Sequence, residues 1–205
     1  GKLARLEEVI HAEPLEGDYG LGHTRWATHG RPTEENAHPH RDCTGRLVVV
    51  HNGIIENYLD LKKELQRDGH VFATETDTEV VAHLVARACE RTGDLTQAMR
   101  EVVNTLEGAF TLLAVHADQP DVVVGARRNS PLVVGLGDGE NFLGSDVAAF
   151  IGYTRHALEL GQDQIVTITP DGYSVINFDG TPSDGKAYEV TWDAAAAEKG
   201  GYDTF

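Results

Sequence analysis

Leu47-Val48-Val49-Val50-His51-Asn52-Gly53, followed by a helix-prone run from 54 to 67, decides the fold class. The β-branched run predicts a buried strand over 47–51. Asn-Gly is the dipeptide that most often closes a two-residue hairpin. A hairpin needs a second strand after the turn, whereas residues 56–67 have helical composition closed by Gly69. The expectation is a strand that ends in a turn at Asn52-Gly53 and hands the chain to a helix.

Upstream, Leu3, Leu6, Val9 and Ile10 recur at helical spacing and predict an amphipathic helix over 2–12, broken at Glu16-Gly17-Asp18. A strand is expected at Tyr19–Trp26, then a polar stretch from Thr28 to Gly45 rich in His, Pro and Asn. Downstream, 70–74 reads as a short strand. Thr76 and Glu79 stand at capping-box spacing ahead of a helix with Val80, Val81, Leu84 and Val85 that stops near Gly93. Asp94 caps a second helix through Leu106. From Gly108 strands follow at 109–116, 121–126, 131–136, 141–144, 164–169 and 173–178, with turns at 137–139 and 170–172. The tail from Asp193 carries an Ala-rich helical turn before Gly200-Gly201. Helices set between β-rich halves, with no repeat or linker, predict one α+β domain of stacked sheets over residues 1–205.

The net charge is −16 with 17 Lys and Arg. Such a surface repels a phosphate backbone, so nucleic acid is not an expected partner. No apolar run approaches the ~18 residues of a membrane span, and the first residues show no charged-then-apolar leader pattern. A cytoplasmic protein without a membrane partner is the expectation. Cys43 and Cys89 stand far apart, in neither a CxxC pair nor a disulfide framework, which fits a reducing compartment. Neither has a base at a recognisable spacing, so neither reads as a nucleophile.

Four constellations carry chemistry. His23-Thr24-Arg25-Trp26-Ala27-Thr28-His29-Gly30 gathers polar side chains at a strand end, with Arg25 suited to bidentate capture of a carboxylate or simply solvated. Asn36-Ala37-His38-Pro39-His40 invites a metal reading, since two imidazoles two apart can share an ion. No third ligand or acidic partner accompanies them, so a structural or substrate-binding role is preferred and no metal is expected. Asn52-Gly53 can aim an amide and a backbone N–H at one point, the geometry of an oxyanion hole, or can be an ordinary turn. In Glu75-Thr76-Asp77-Thr78-Glu79 a carboxylate suits the first turn of a helix without any function, and Asp77 could equally anchor an ammonium group.

In this order the four segments resemble the glutaminase domain of the class II glutamine amidotransferases, with the nearer likeness to the glucosamine-6-phosphate synthases. The likeness includes Val49 to Asn57, Glu75 to Val80, Ala126-Arg127, Ser130-Pro131-Leu132 and Gly144-Ser145-Asp146, and runs over nearly the whole chain. The resemblance implies a four-layer αββα sandwich of the N-terminal-nucleophile hydrolase type, without a cofactor. It implies that Arg25 holds the α-carboxylate of L-glutamine and Asp77 its α-ammonium. The Asn52 side chain and the Gly53 N–H would form the oxyanion hole, and Trp26, Thr28 and His29 would line and close the pocket. It further implies a homodimer in the full-length enzyme, with ammonia passed to fructose 6-phosphate in a sugar-isomerase half.

The family's nucleophile, an N-terminal Cys activated by its own α-amine, has no counterpart at Gly1. A first segment with that Cys and one or two strands is therefore expected to be missing, leaving a fragment that binds poorly and hydrolyses nothing. The final Gly-Gly-Tyr-Asp-Thr-Phe resembles the junction to the sugar-isomerase half. Two other readings stay open: a glutaminase domain of the purine-pathway phosphoribosyl type, and a non-catalytic amino-acid-binding module.

Overall fold

The computed structural model describes residues 3–25 and 28–191. Trp26 and the tail turn expected after Asp193 lie outside them. Along the chain come α1 (Leu3–Ala12), β1 (His40–Arg41), β2 (Leu47–Ile55), α2 (Tyr58–Arg67), α3 (Thr78–Thr92) and α4 (Leu95–Val103). Then follow β3 (Gly108–His116), β4 (Gln119–Arg128), β5 (Val133–Leu136), β6 (Asn141–Gly144), β7 (His156–Glu159), β8 (Gln164–Thr169), β9 (Gly172–Asn177), β10 (Pro182–Ser183) and β11 (Lys186–Glu189). Antiparallel pairing builds a seven-stranded sheet in the order β1-β2-β3-β4-β8-β9-β10 and a four-stranded sheet in the order β11-β7-β5-β6.

Alternate residues of the central strands point to opposite faces, and this period sorts the core into layers. Val49, Phe110, Leu112, Val124, Ala126 and Ile165 pack with Val81, Val85, Ala98, Met99 and Val102 of α3 and α4. Leu113, Val123, Val166 and Ile168 meet Val134, Leu158 and Leu160 on the side of the smaller sheet. The remaining face of that sheet, with Val133 and Ala157, packs against Phe150 and Ile151 beyond a 3₁₀ turn at Val147–Ala149. Each fully buried Leu or Phe is worth roughly 1.5–3 kcal/mol, so the layers are held by summed burial. α1 forms as expected but buries none of its residues among the described ones.

Several local expectations change. The chain does not turn at Asn52-Gly53: β2 continues to Ile55, paired with β3 from Leu47 opposite His116 to Ile55 opposite Gly108. Gly53 permits this with φ +124°, at a point where a Cβ would stand 2.1 Å from the Ala109 carbonyl oxygen. Residues 19–25 join no ladder, and polar side chains rather than strand pairing tie them down. Residues 70–74 also form no strand. The Glu79 carboxylate takes their hydrogen bonds instead, accepting from the N–H groups of Ala73 and Thr74 at 2.7 Å and from the Thr74 hydroxyl at 2.6 Å. Glu79 thus reaches past the capping-box position, and α3 starts after Asp77 rather than Thr76. α4 begins as expected, Asp94 accepting from the Gln97 N–H at 2.7 Å, and α3 stops at Gly93 with φ +68°.

Candidate functional site

The end of β2, the 23–30 segment and the start of α3 enclose a pocket of about 340 Å³. Arg25, Thr28, His29, Asn52, Gly53 and Asp77 all line it, together with His23, His38, His51 and Thr78. Four separate stretches of sequence thereby meet at one sheet end.

His23 sets the orientation of Asn52. Its Nε2 lies 3.0 Å from the His51 carbonyl and 2.8 Å from Asn52 Oδ1. A carbonyl can only accept, so Nε2 carries the ring proton and the Asn52 atom facing it is oxygen. The Asn52 NH₂ is then the end of the amide turned away from His23.

Asp77 is 3 % exposed and accepts the Ile55 N–H at 2.9 Å through Oδ2. The Nδ1 atoms of His29 and His51 each stand 3.9 Å from the same oxygen. His51 Nδ1 also meets the Thr78 hydroxyl at 3.0 Å. Burial pushes the His51 pKa down to about 4, only partly opposed by the Asp77 carboxylate. His51 therefore stands beside Asp77 as a neutral imidazole. Arg25 donates through Nη1 to the Arg31 carbonyl at 2.9 Å, and through Nη2 to the carbonyls of His29 at 2.5 Å and Gly30 at 3.2 Å. Its guanidinium shapes the loop and brings the pocket a positive charge.

His38 and His40 find protein partners. His38 stacks on His23 with centroids 4.0 Å apart, and its Nδ1 accepts the His51 N–H at 3.3 Å. His40 Nε2 meets the Thr76 hydroxyl at 3.2 Å. Burial, helped by neighbouring His23, pushes the His38 pKa down to about 2. Three ring nitrogens around the pocket, His23 Nδ1, His29 Nδ1 and His51 Nε2, are buried without a hydrogen bond. Buried polar atoms are rarely left so, and a polar occupant would satisfy them. Neither cysteine lines the pocket. Cys89, on α3, packs into the core, where burial pushes its pKa up to about 11. Sequence reasoning missed His23, His51 and Thr78 as members, because nothing in their spacing tells that they converge.

Residues 23–152 match the model of the glutamine amidotransferase domain family. The chain belongs to that family. Among curated relatives of this amidotransferase chain, glutamine–fructose-6-phosphate aminotransferase (isomerizing) of Streptomyces coelicolor is 62 % identical over 206 residues, covering 100 % of this chain and 34 % of that protein. The Corynebacterium efficiens protein of the same name is 60 % identical over 208 residues, covering 100 % and 33 %. The chain thus spans about a third of the length of the curated relatives it matches. Among solved structures, glutamine phosphoribosylpyrophosphate amidotransferase from B. subtilis aligns with TM-score 0.62 at 28 % identity, covering 76 % of this chain and 34 % of that one. The stacked-sheet α+β fold of the amidotransferases is therefore shared. No helix of the described residues is long and apolar enough to cross a membrane.

Proposed function

We propose that the pocket binds L-glutamine and hydrolyses its side-chain amide, as the glutaminase part of a glutamine–fructose-6-phosphate aminotransferase. The observation that carries this reading is the His23–Asn52 contact of 2.8 Å, which engages the amide oxygen of Asn52 and leaves its NH₂ as a donor in a pocket that Arg25 and Asp77 also line. An α-amino acid presents a carboxylate and an ammonium, and those two residues supply the matching charges. Asn52 Nδ2–H and the Gly53 N–H then donate to the oxygen that becomes negative when the amide is attacked. Thr28 and His29 line the pocket, and on the family's pattern Trp26 would help to close it.

The attacking thiol is neither Cys43 nor Cys89, since neither lines the pocket. On the family's pattern it belongs to a cysteine with a free α-amine, which takes the thiol proton and returns it to the departing nitrogen. The C–N bond breaks, ammonia leaves, and water cleaves the thioester to glutamate. Ammonia would pass to fructose 6-phosphate bound in another part of the protein. Identities of 60–62 % to sugar-branch relatives, against 28 % to the solved phosphoribosyl enzyme, favour the sugar acceptor.

The test measures glutamate and glucosamine 6-phosphate formed by the full-length protein from glutamine or from ammonia. Arg25→Ala is expected to raise the glutamine KM beyond measurable range while ammonia-dependent synthesis continues. An unchanged glutamine KM would defeat the assignment.

A further inference from the structure

Away from the glutamine pocket, three segments remote in sequence bring one thiol and two imidazoles together. Cys43 comes from the turn between β1 and β2, His70 from the connection after α2, and His83 from the second turn of α3. Cys43 Sγ lies 3.6 Å from His83 Nδ1 and 3.9 Å from His70 Nδ1, and the two Nδ1 atoms are 3.4 Å apart. Among the described residues no other trio of His, Cys, Asp or Glu donors comes this close.

We infer that Cys43, His70 and His83 form a binding site for one zinc-class cation. Bond lengths of ~2.3 Å to sulfur and ~2.0–2.1 Å to nitrogen in a tetrahedral site set S and N about 3.6 Å apart and two N atoms about 3.3 Å apart. Two of the three separations here already have those values, and the third exceeds them by a few tenths of an ångström. The donor set, one thiolate and two imidazoles, suits zinc and its neighbours rather than magnesium or calcium.

The surroundings of His83 support the ligand role. Its side chain is 1 % exposed, and its Nε2 stands 3.5 Å from Glu79 Oε1. Glu79 accepts three hydrogen bonds from Ala73 and Thr74. The buried His83 Nε2 has no hydrogen bond and this carboxylate as its neighbour, and with the ring proton on Nε2 the Nδ1 lone pair is available to a cation. That lone pair faces the other two donors. A carboxylate behind a ligating imidazole is the usual outer partner of a zinc ligand, fixing tautomer and ring orientation. Cys43 is exposed, so the fourth position faces solvent and takes water or an exogenous ligand. Binding displaces the thiol proton and ties the β1–β2 turn and the α2–α3 connection to the helix that Asp77 precedes and Thr78 begins.

The experiment titrates Co²⁺ into metal-free protein held in a thiol-free reductant, then displaces it with Zn²⁺. One equivalent of Co²⁺ is expected to give a thiolate-to-cobalt charge-transfer band that zinc abolishes. Cys43→Ser should remove the band, and His70→Ala should weaken zinc binding about 100-fold or more, since loss even of an outer partner costs 10–100-fold. Metal-free melting temperatures report whether each variant is folded. No band at one equivalent, or a band that persists in Cys43→Ser, overturns the site. None of these readouts depends on glutamine hydrolysis.

Discussion

The Nε2 of His23 donates to Oδ1 of Asn52 at 2.8 Å, joining residues 29 apart in sequence and fixing which end of the amide meets the histidine. His23 is thus a positioning residue for the proposed oxyanion donor. In the full-length protein, His23→Ala is expected to lower kcat for glutamine hydrolysis roughly tenfold, the rate equivalent of about 1.4 kcal/mol, with KM little changed. A raised KM at unchanged kcat would mean that His23 only shapes the pocket.

Asn52→Ala removes the donor itself. Loss of one oxyanion donor costs about 10²- to 10³-fold in kcat, so glutaminase turnover should fall by that amount while glutamine binding changes much less. Paired with His23→Ala, the double variant should be no worse than Asn52→Ala alone, because His23 acts through Asn52. Additive losses would show two independent roles.

Gly53→Ala should be severe for stability, not only for activity. At φ +124° the added methyl would stand 2.1 Å from the Ala109 carbonyl oxygen, and backbone cannot yield as a flexible side chain can. Strain of this kind costs about 1–3 kcal/mol before the clash is counted. Denaturant unfolding should show a loss of at least about 2 kcal/mol; a midpoint equal to wild type would mean that β2 and β3 separate here without penalty.

Acid should destabilise the protein well above the carboxylate range. His51 falls from 6.5 to about 4 on folding, chiefly through burial. Between those values the unfolded chain binds the proton and the folded one does not, so this contribution is whole above pH 6.5 and is lost as pH falls toward 4. Burial alone would raise the Glu79 pKa, but the His83 imidazole 3.5 Å away and hydrogen bonds from Thr74 and the Ala73 N–H outweigh it and hold the pKa at about 2. Its contribution is present above 4.5 and disappears as pH drops through 2. Melting temperatures should be level above pH 7 and decline from pH 6.5 downward, with a shallower decline in His51→Gln. A curve flat to pH 5 would contradict a neutral, buried His51.

Much of this was legible in the chain. The strands expected at 109–116, 121–126 and 164–169 match β3, β4 and β8 closely, because each is an apolar run long enough to stand out between turns. Asn52-Gly53 misled, since the dipeptide's turn preference is local while the strand's continuation is set by nine paired residues of β3. The 70–74 segment misled for a related reason: its N–H groups bond to a carboxylate, not to a neighbouring strand. β1 and β10, two residues each, are too short to carry any pattern. At the site, residue types announced Arg25, Asn52 and Asp77, but the convergence of His23, His51 and Thr78 belongs to tertiary packing. The same holds for Cys43, His70 and His83, whose spacing in sequence matches no metal-binding pattern.

The first two turns of α3 are buried on every side, from Thr78 through Val85, polar residues included. This half of the helix has no solvent-facing stripe along which it can open by itself. Its amide protons should exchange with deuterium only when the whole molecule opens, whereas those of α1, which buries no residue, should exchange through local fraying. The amides of residues 82–85 thus form a built-in gauge of global stability.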